Sequence, residues 1–62
     1  MNMEEIEYFI TDIVMKTEEM TLLQFEINNS NSRKFVIDAK EQLQLLYINR
    51  ELSKNELMIL GE

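Results

Sequence analysis

The sequence lacks several residue types on which common functional sites depend. Its 62 residues contain no cysteine, no histidine and no proline, and the one glycine is residue 61. Disulfide bonds are therefore excluded, and zinc, haem and iron–sulfur sites lose their usual ligands. Serine, cysteine or threonine nucleophiles lose the histidine that most often activates them, and no glycine-rich phosphate loop is possible. We expect a protein without enzymatic activity and without a cofactor or a bound metal.

No apolar run approaches the roughly 20 residues that a membrane span requires. The acidic N-terminal segment also lacks the basic region of a secretory signal, so we expect a cytoplasmic protein that does not bind membranes. Hydrophobic residues make up 45% of the chain, which is typical of a folded domain and not of a flexible linker. Residues 1–62 are therefore predicted to form a single small domain.

A chain of this length buries only about 60% of the surface that its unfolded form exposes. Small domains commonly supplement a core of this size with disulfides, metals or oligomerisation. Because the chain has neither the cysteines for disulfides nor the usual metal ligands, the sequence favours a homo-oligomer, most simply a dimer.

Residues 3–20 are predicted to form an amphipathic helix, because their apolar side chains recur at spacings of three and four. Asn2 is suited to cap this helix, with Glu5 at the capping-box position. Acidic side chains occupy the outer side of the helix. The candidate partner-binding acidic face comprises Glu4, Glu5, Glu7, Asp12, Glu18 and Glu19.

In the middle of the chain, the spacing of the apolar residues changes from three or four to two. From residue 21 to residue 27, Leu23, Phe25 and Ile27 alternate with polar residues, as in a half-buried strand, and residues 28–32 are small and polar, as in a turn. A second strand is predicted at residues 33–37, with Phe35 and Ile37 facing inward. The favoured fold class is therefore α+β: a helix, a two-stranded hairpin and a C-terminal helix. The alternative extends the first helix through Phe25 and gives an all-helical hairpin.

The C-terminal helix is predicted to begin at Asp38, because Glu41 follows at the spacing of a capping box. Ser53 and Glu56 repeat that spacing, so the helix is expected either to break near Ser53 and restart or to continue unbroken. Leu43 to Ile59 resembles the short helical modules found at the C-termini of many bacterial proteins (the SHOCT type), with a leucine pair, an aromatic residue and a Ser-x-x-Glu-Leu restart. It has Arg50-Glu51 where those modules usually have a glycine at the turn.

This C-terminal helix carries two apolar stripes instead of one. At about 100° per residue, Ala39, Leu43, Leu46 and Tyr47 gather on one side and a second set gathers on nearly the opposite side. We expect the first stripe to pack on the protein's own core and the second to form an oligomer interface. The predicted interface residues are Leu45, Ile48, Leu52 and Ile59.

The net charge of −6 lies entirely in the N-terminal part of the chain. Residues 1–27 hold seven acidic residues and one basic residue, whereas residues 28–62 hold five of each. Such a field repels nucleic acid and favours a protein partner with a basic surface. The preferred hypothesis is a bacterial or phage regulatory or inhibitory protein that homo-oligomerises and binds a protein partner. The alternatives are a nucleic-acid mimic that inhibits a DNA-binding enzyme and a structural oligomerisation module.

Overall fold

The computed structural model describes residues 2–62 and contains two long α-helices. Helix α1 spans Met3–Asn29 and helix α2 spans Arg33–Leu60, with residues 30–32 between them. Two hydrogen bonds join the helices, from Ser53 to Asp12 and from Arg50 to Thr17. The position on α2 falls as the position on α1 rises, so the helices are antiparallel. They form a helical hairpin with extents of 47 × 14 × 11 Å.

Both helices begin at a polar cap. The Asn2 side chain accepts a hydrogen bond from the backbone N–H of Glu4 at 2.9 Å, which confirms the predicted cap of α1. At the start of α2, the Ser32 hydroxyl accepts a hydrogen bond from the backbone N–H of Phe35 at 3.2 Å. Each cap satisfies an amide that has no partner within the first turn of its helix.

The helices meet along an interhelical seam with a strict heptad pattern. The seam positions are separated alternately by three and four residues, the spacing of a and d positions in a coiled coil. Every seam side chain is buried or half-buried. The seam comprises Ile6, Phe9, Ile13, Lys16, Met20, Leu23 and Ile27 of α1, and Val36, Ala39, Leu43, Leu46, Arg50, Ser53, Leu57 and Leu60 of α2.

The predicted α+β fold is wrong, and the alternative helical hairpin matches the structure. Both predicted strands lie within helices. Leu23 and Ile27 are four residues apart and both face the seam, whereas Phe25 between them is 64% exposed. An apolar pair at this spacing fits a strand face and a helix face equally well. Because the heptad pattern that starts at Ile6 continues to Ile27, residues 21–27 belong to the same helix.

Two details of the C-terminal helix are also corrected. The helix begins at Arg33, so Asp38 lies within its second turn and does not cap it. The predicted break near Ser53 does not occur, because α2 is continuous to Leu60. Phe35 and Ile37, predicted to face inward, are 38% and 50% exposed, and Val36 between them faces the seam.

The hairpin has a very small core. Among residues 2–62, Ile27, Ala39 and Ser53 are the buried side chains, and no side chain is completely shielded from solvent. Fifteen large apolar side chains in the same part of the chain remain exposed. Two helices packed along one line cover only one side of each, so the remaining sides determine how the molecule meets its surroundings.

Candidate interaction surfaces

The outer side of α2 carries an aliphatic stripe that Asn55 interrupts between its last two members. Its members are Leu45, Ile48, Leu52 and Ile59, which we name the outer stripe. Their exposed fractions are 56%, 49%, 58% and 62%. The stripe lies about 150° around α2 from the seam, on the side that faces away from α1. The residues predicted as the oligomer interface therefore share one accessible surface and do not contribute to the core of the hairpin.

The inner side of α2 packs against α1. Ala39, Leu43 and Leu46 all occupy seam positions. Tyr47, which the sequence assigned to the same stripe, lies at the edge of the seam and is 50% exposed. The Arg50 guanidinium carbon lies 5.7 Å from the centre of the Tyr47 ring, within the range of a cation–π contact.

The acidic residues predicted on α1 do not all behave alike. Glu4, Glu5, Glu7, Glu18 and Glu19 are exposed, but Asp12 is half-buried. Every seventh residue from Glu5 is acidic, so that Glu5, Asp12, Glu19 and Glu26 form a row along one edge of the seam. Sequence reasoning missed Glu26 because residues 21–27 were assigned to a strand. With seven acidic residues and one lysine, α1 has a charge of −6, whereas α2 has five basic and four acidic residues and a charge of +1.

A polar layer interrupts the apolar seam near its middle. Asp12 Oδ1 and Oδ2 each lie 2.5 Å from Lys16 Nζ, one helical turn away on α1. Ser53 Oγ donates a hydrogen bond to Asp12 Oδ2 from across the seam. These donors, Lys16 first and then Ser53, lower the pKa of Asp12 below its ordinary value. Asp12 therefore ties the two helices together and is less available to a partner than the other acidic residues.

Arg50 is the second cation in this layer, and no carboxylate within residues 2–62 lies at ion-pair distance from it. One of its terminal nitrogens donates a hydrogen bond to Thr17 Oγ1 at 3.2 Å. Its Nε is buried without a hydrogen-bond partner. The sequence contained a signal for the layer, because Lys16, Arg50 and Ser53 are the polar residues at seam positions. That signal is visible only once the heptad has been followed along the whole of both helices.

A shallow groove runs beside the polar layer. Its volume is about 510 Å³, and its walls come from both helices. Five of its eight lining side chains are polar, and Phe25 forms an exposed apolar wall. The lining residues are Thr17, Met20, Thr21, Gln24, Phe25, Asn28, Leu43 and Arg50.

Between residues 2 and 62, neither helix combines the length and the apolar character needed to traverse a bilayer. Comparisons with protein-family models, with curated proteins and with solved structures found no match for this chain. The resemblance of Leu43 to Ile59 to the short C-terminal helical modules therefore gains no support from these comparisons.

Proposed function

We propose that the protein is a non-enzymatic interaction module, and that its first partner is a second copy of itself packed on the outer stripe. The observation that carries this proposal is the contrast between the buried core and the exposed apolar surface. The hairpin buries Ile27, Ala39 and Ser53, whereas the outer stripe exposes about half of each of four large aliphatic side chains along one side of α2. Exposed apolar surface of this kind is typical of an interface.

The expected association is reversible. Burying the exposed half of one such side chain contributes about 1 kcal/mol, so eight side chains from two copies contribute about 8 kcal/mol. The loss of translational and rotational freedom opposes association by about 4–15 kcal/mol. Since the two terms are of the same order, we expect a dimer that dissociates on dilution, not a permanent assembly.

Sedimentation velocity over roughly 5–500 μM tests this proposal, because a dissociating dimer shifts with concentration. The wild-type protein is expected to convert from monomer to dimer over this range. The variant Leu45→Glu with Ile48→Glu is expected to remain monomeric and helical. The control Gln42→Glu with Asn49→Glu places the same charges on exposed polar positions of α2 and is expected to dimerise. A wild-type protein that is monomeric throughout would refute self-association.

We also propose that α1 presents its exposed carboxylates to a protein partner with a basic surface. The support is the separation of charge, −6 on α1 against +1 on α2. In this proposal the protein is a small cytoplasmic regulator or inhibitor of bacterial or phage type. Competition for a DNA-binding enzyme is the narrower form of the same proposal.

Binding measured at increasing salt tests the acidic surface. A five-residue variant that changes Glu4, Glu5, Glu7, Glu18 and Glu19 to glutamine is expected to lose a partner that the wild-type protein retains at low salt. Asp12 is left unchanged because it ties the helices together. Displacement of duplex DNA from the partner by the wild-type protein but not by the variant would identify nucleic-acid mimicry. Equal retention of the partner by both proteins would refute a role for the acidic surface.

A further inference from the structure

We infer that two copies meet through an antiparallel pair of α2 helices, with both α1 helices on the outside. This inference rests on the proposed self-association and specifies its geometry. The order of helices across the dimer is α1, α2, α2 of the second copy and α1 of the second copy. Three features of the hairpin favour this order over the other ways in which two hairpins can meet.

The first feature is the charge of the two helices. Contact between two α1 helices would bring two charges of −6 together. Contact between two α2 helices brings together only two charges of +1. With neighbouring helix axes about 8–10 Å apart, the proposed order separates the α1 axes by about 25 Å. This distance is about three Debye lengths at physiological ionic strength, so the repulsion between the α1 helices is largely screened.

The second feature is the composition of the two flat sides of the hairpin. One side carries the acidic row of Glu5, Asp12, Glu19 and Glu26, and Glu56 of α2 lines a groove together with Glu5. Two such sides would repel each other. The other side holds the groove beside Arg50. Most of the exposed surface of this groove is apolar, but contact there would also remove water from its five polar side chains. The outer stripe has four aliphatic side chains, with Asn55 as the polar residue between Leu52 and Ile59.

The third feature is the uncompensated ends of α2, which set the direction of the pair. The first turn of α2 has no acidic residue to match the positive end of the helix dipole, and it carries Arg33 and Lys34. The last turn has no basic residue, and Glu62 follows it. A parallel pair would place like ends together. An antiparallel pair separates the like ends and turns the basic start of one α2 towards the acidic end of the other.

Contact between the outer stripes of two antiparallel α2 helices places the two-fold axis near Leu52, midway between Leu45 and Ile59. Residues near this axis approach their own copies in the partner, and residues far from it do not. At 1.5 Å per residue, the two copies of Gln44 are offset by about 24 Å along the helix axis. Single cysteines can report this geometry, because the native chain has no cysteine and every link formed is intermolecular.

Cross-linking of single-cysteine variants with a short bismaleimide tests the inference. Leu52→Cys and Asn55→Cys lie close to the axis, and both are expected to give covalent dimers. Asn55→Cys also leaves the four aliphatic side chains of the outer stripe intact, so it reports the contact even if the change at Leu52 weakens the dimer. Gln44→Cys, an exposed position of α2 far from the axis, and Thr21→Cys, beside the Arg50 groove, are expected to give at least tenfold less covalent dimer.

Each contrary result identifies which proposal fails. Efficient linking of Gln44→Cys as well as Asn55→Cys would show a parallel pair and overturn the inference. Linking of Thr21→Cys without Asn55→Cys would place the contact on the groove side and overturn the inference, while self-association would stand. A wild-type protein that remains monomeric in sedimentation would instead overturn the proposed function on which the inference rests.

Discussion

Ser53 on α2 donates a hydrogen bond to the Asp12 carboxylate on α1, and the same carboxylate accepts a hydrogen bond from Lys16. These contacts form a polar layer inside a seam that is otherwise mostly apolar. Apolar side chains at regular spacing permit sliding by one heptad, whereas a hydrogen-bonded pair fits only one alignment. The Ser53–Asp12 bond therefore selects the register in which Ile27 and Ala39 are buried near the connection between the helices.

The first prediction concerns the dependence of stability on pH. The pKa of Asp12 is lowered from its ordinary value of 3.8 by Lys16 and then by Ser53. A carboxylate with a lowered folded-state pKa contributes its stability above the ordinary pKa, and the contribution is lost as the pH falls through the folded-state pKa. Asp12→Asn is therefore expected to lower the melting temperature at neutral pH, with a deficit that shrinks below pH 3.8.

Thermal melts followed by circular dichroism between neutral and strongly acidic pH measure that deficit. Glu18→Gln is the matched control, because Glu18 is an exposed carboxylate on the same helix. Its melting temperature is expected to follow that of the wild-type protein at every pH. A deficit for Asp12→Asn that stays constant with pH would show that the ion pair does not carry the effect.

The second prediction concerns the start of α2. Ser32 caps this helix in the structure, whereas the sequence pattern favoured Asp38. Ser32→Ala is expected to reduce the free energy of unfolding by about 0.5–2 kcal/mol, the usual cost of losing an N-cap. Asp38→Ala is expected to be neutral or to stabilise by up to about 0.7 kcal/mol, because alanine is the better residue inside a helix. Chemical denaturation measures both, and the opposite ranking would mean that the helix begins near Asp38.

The third prediction concerns Arg50, whose Nε is buried in the seam without a hydrogen-bond partner. A buried donor without a hydrogen-bond partner costs about 1–3 kcal/mol, and a leucine at this seam position would remove that cost. Arg50→Leu is therefore expected to raise the free energy of unfolding by about 1 kcal/mol, and the denaturation midpoint with it. Lys40→Leu is the control at an exposed position of the same helix and is expected to leave the midpoint nearly unchanged. A lower midpoint for Arg50→Leu would show that its contacts with Thr17 and Tyr47 outweigh the cost of its burial.

The fourth prediction separates the inner and outer sides of α2. Leu43 lies in the seam, whereas Leu45 is 56% exposed on the outer stripe. At a protein concentration low enough to keep the chain monomeric, Leu43→Ala is expected to cost about 2 kcal/mol, the lower end for a core leucine. Leu45→Ala is expected to change the free energy of unfolding by less than about 0.5 kcal/mol. Equal losses for the two variants in denaturant titrations would contradict the assignment of the two sides.

Parts of the hairpin could be predicted from the sequence where a single local pattern was present and no other pattern competed with it. The Asn2 cap and the start of the first helix were predicted correctly, and Ile6, Phe9 and Ile13 of its apolar face lie in the seam. The chain also reverses within the predicted polar turn. The errors arose where a local pattern competed with a longer one. Leu23, Phe25 and Ile27 alternate like a strand over seven residues, but Leu23 and Ile27 also continue a heptad of more than twenty residues. The longer pattern prevails because helix packing is cooperative along the seam.

The polar layer shows the same competition between local and distant partners. Ser53 and Glu56 have the spacing of a capping box, which predicted a break in the helix. In the structure the Ser53 hydroxyl bonds to Asp12, a residue 41 positions away. A local pattern cannot reveal a partner on another helix, so the interhelical tie became visible only with the register of the hairpin. The outer stripe was identifiable from the sequence because helical periodicity alone determines it.

The three-residue connection between the helices also has a mechanical consequence. Asn2 and Leu60 line one groove at the open end of the hairpin, so the two ends of the described chain emerge side by side. A pulling force applied through both ends acts across the seam and not along it. Such a load separates one heptad layer after another from the open end, and it reaches the Asp12–Ser53 hydrogen bond before the buried Ile27 and Ala39.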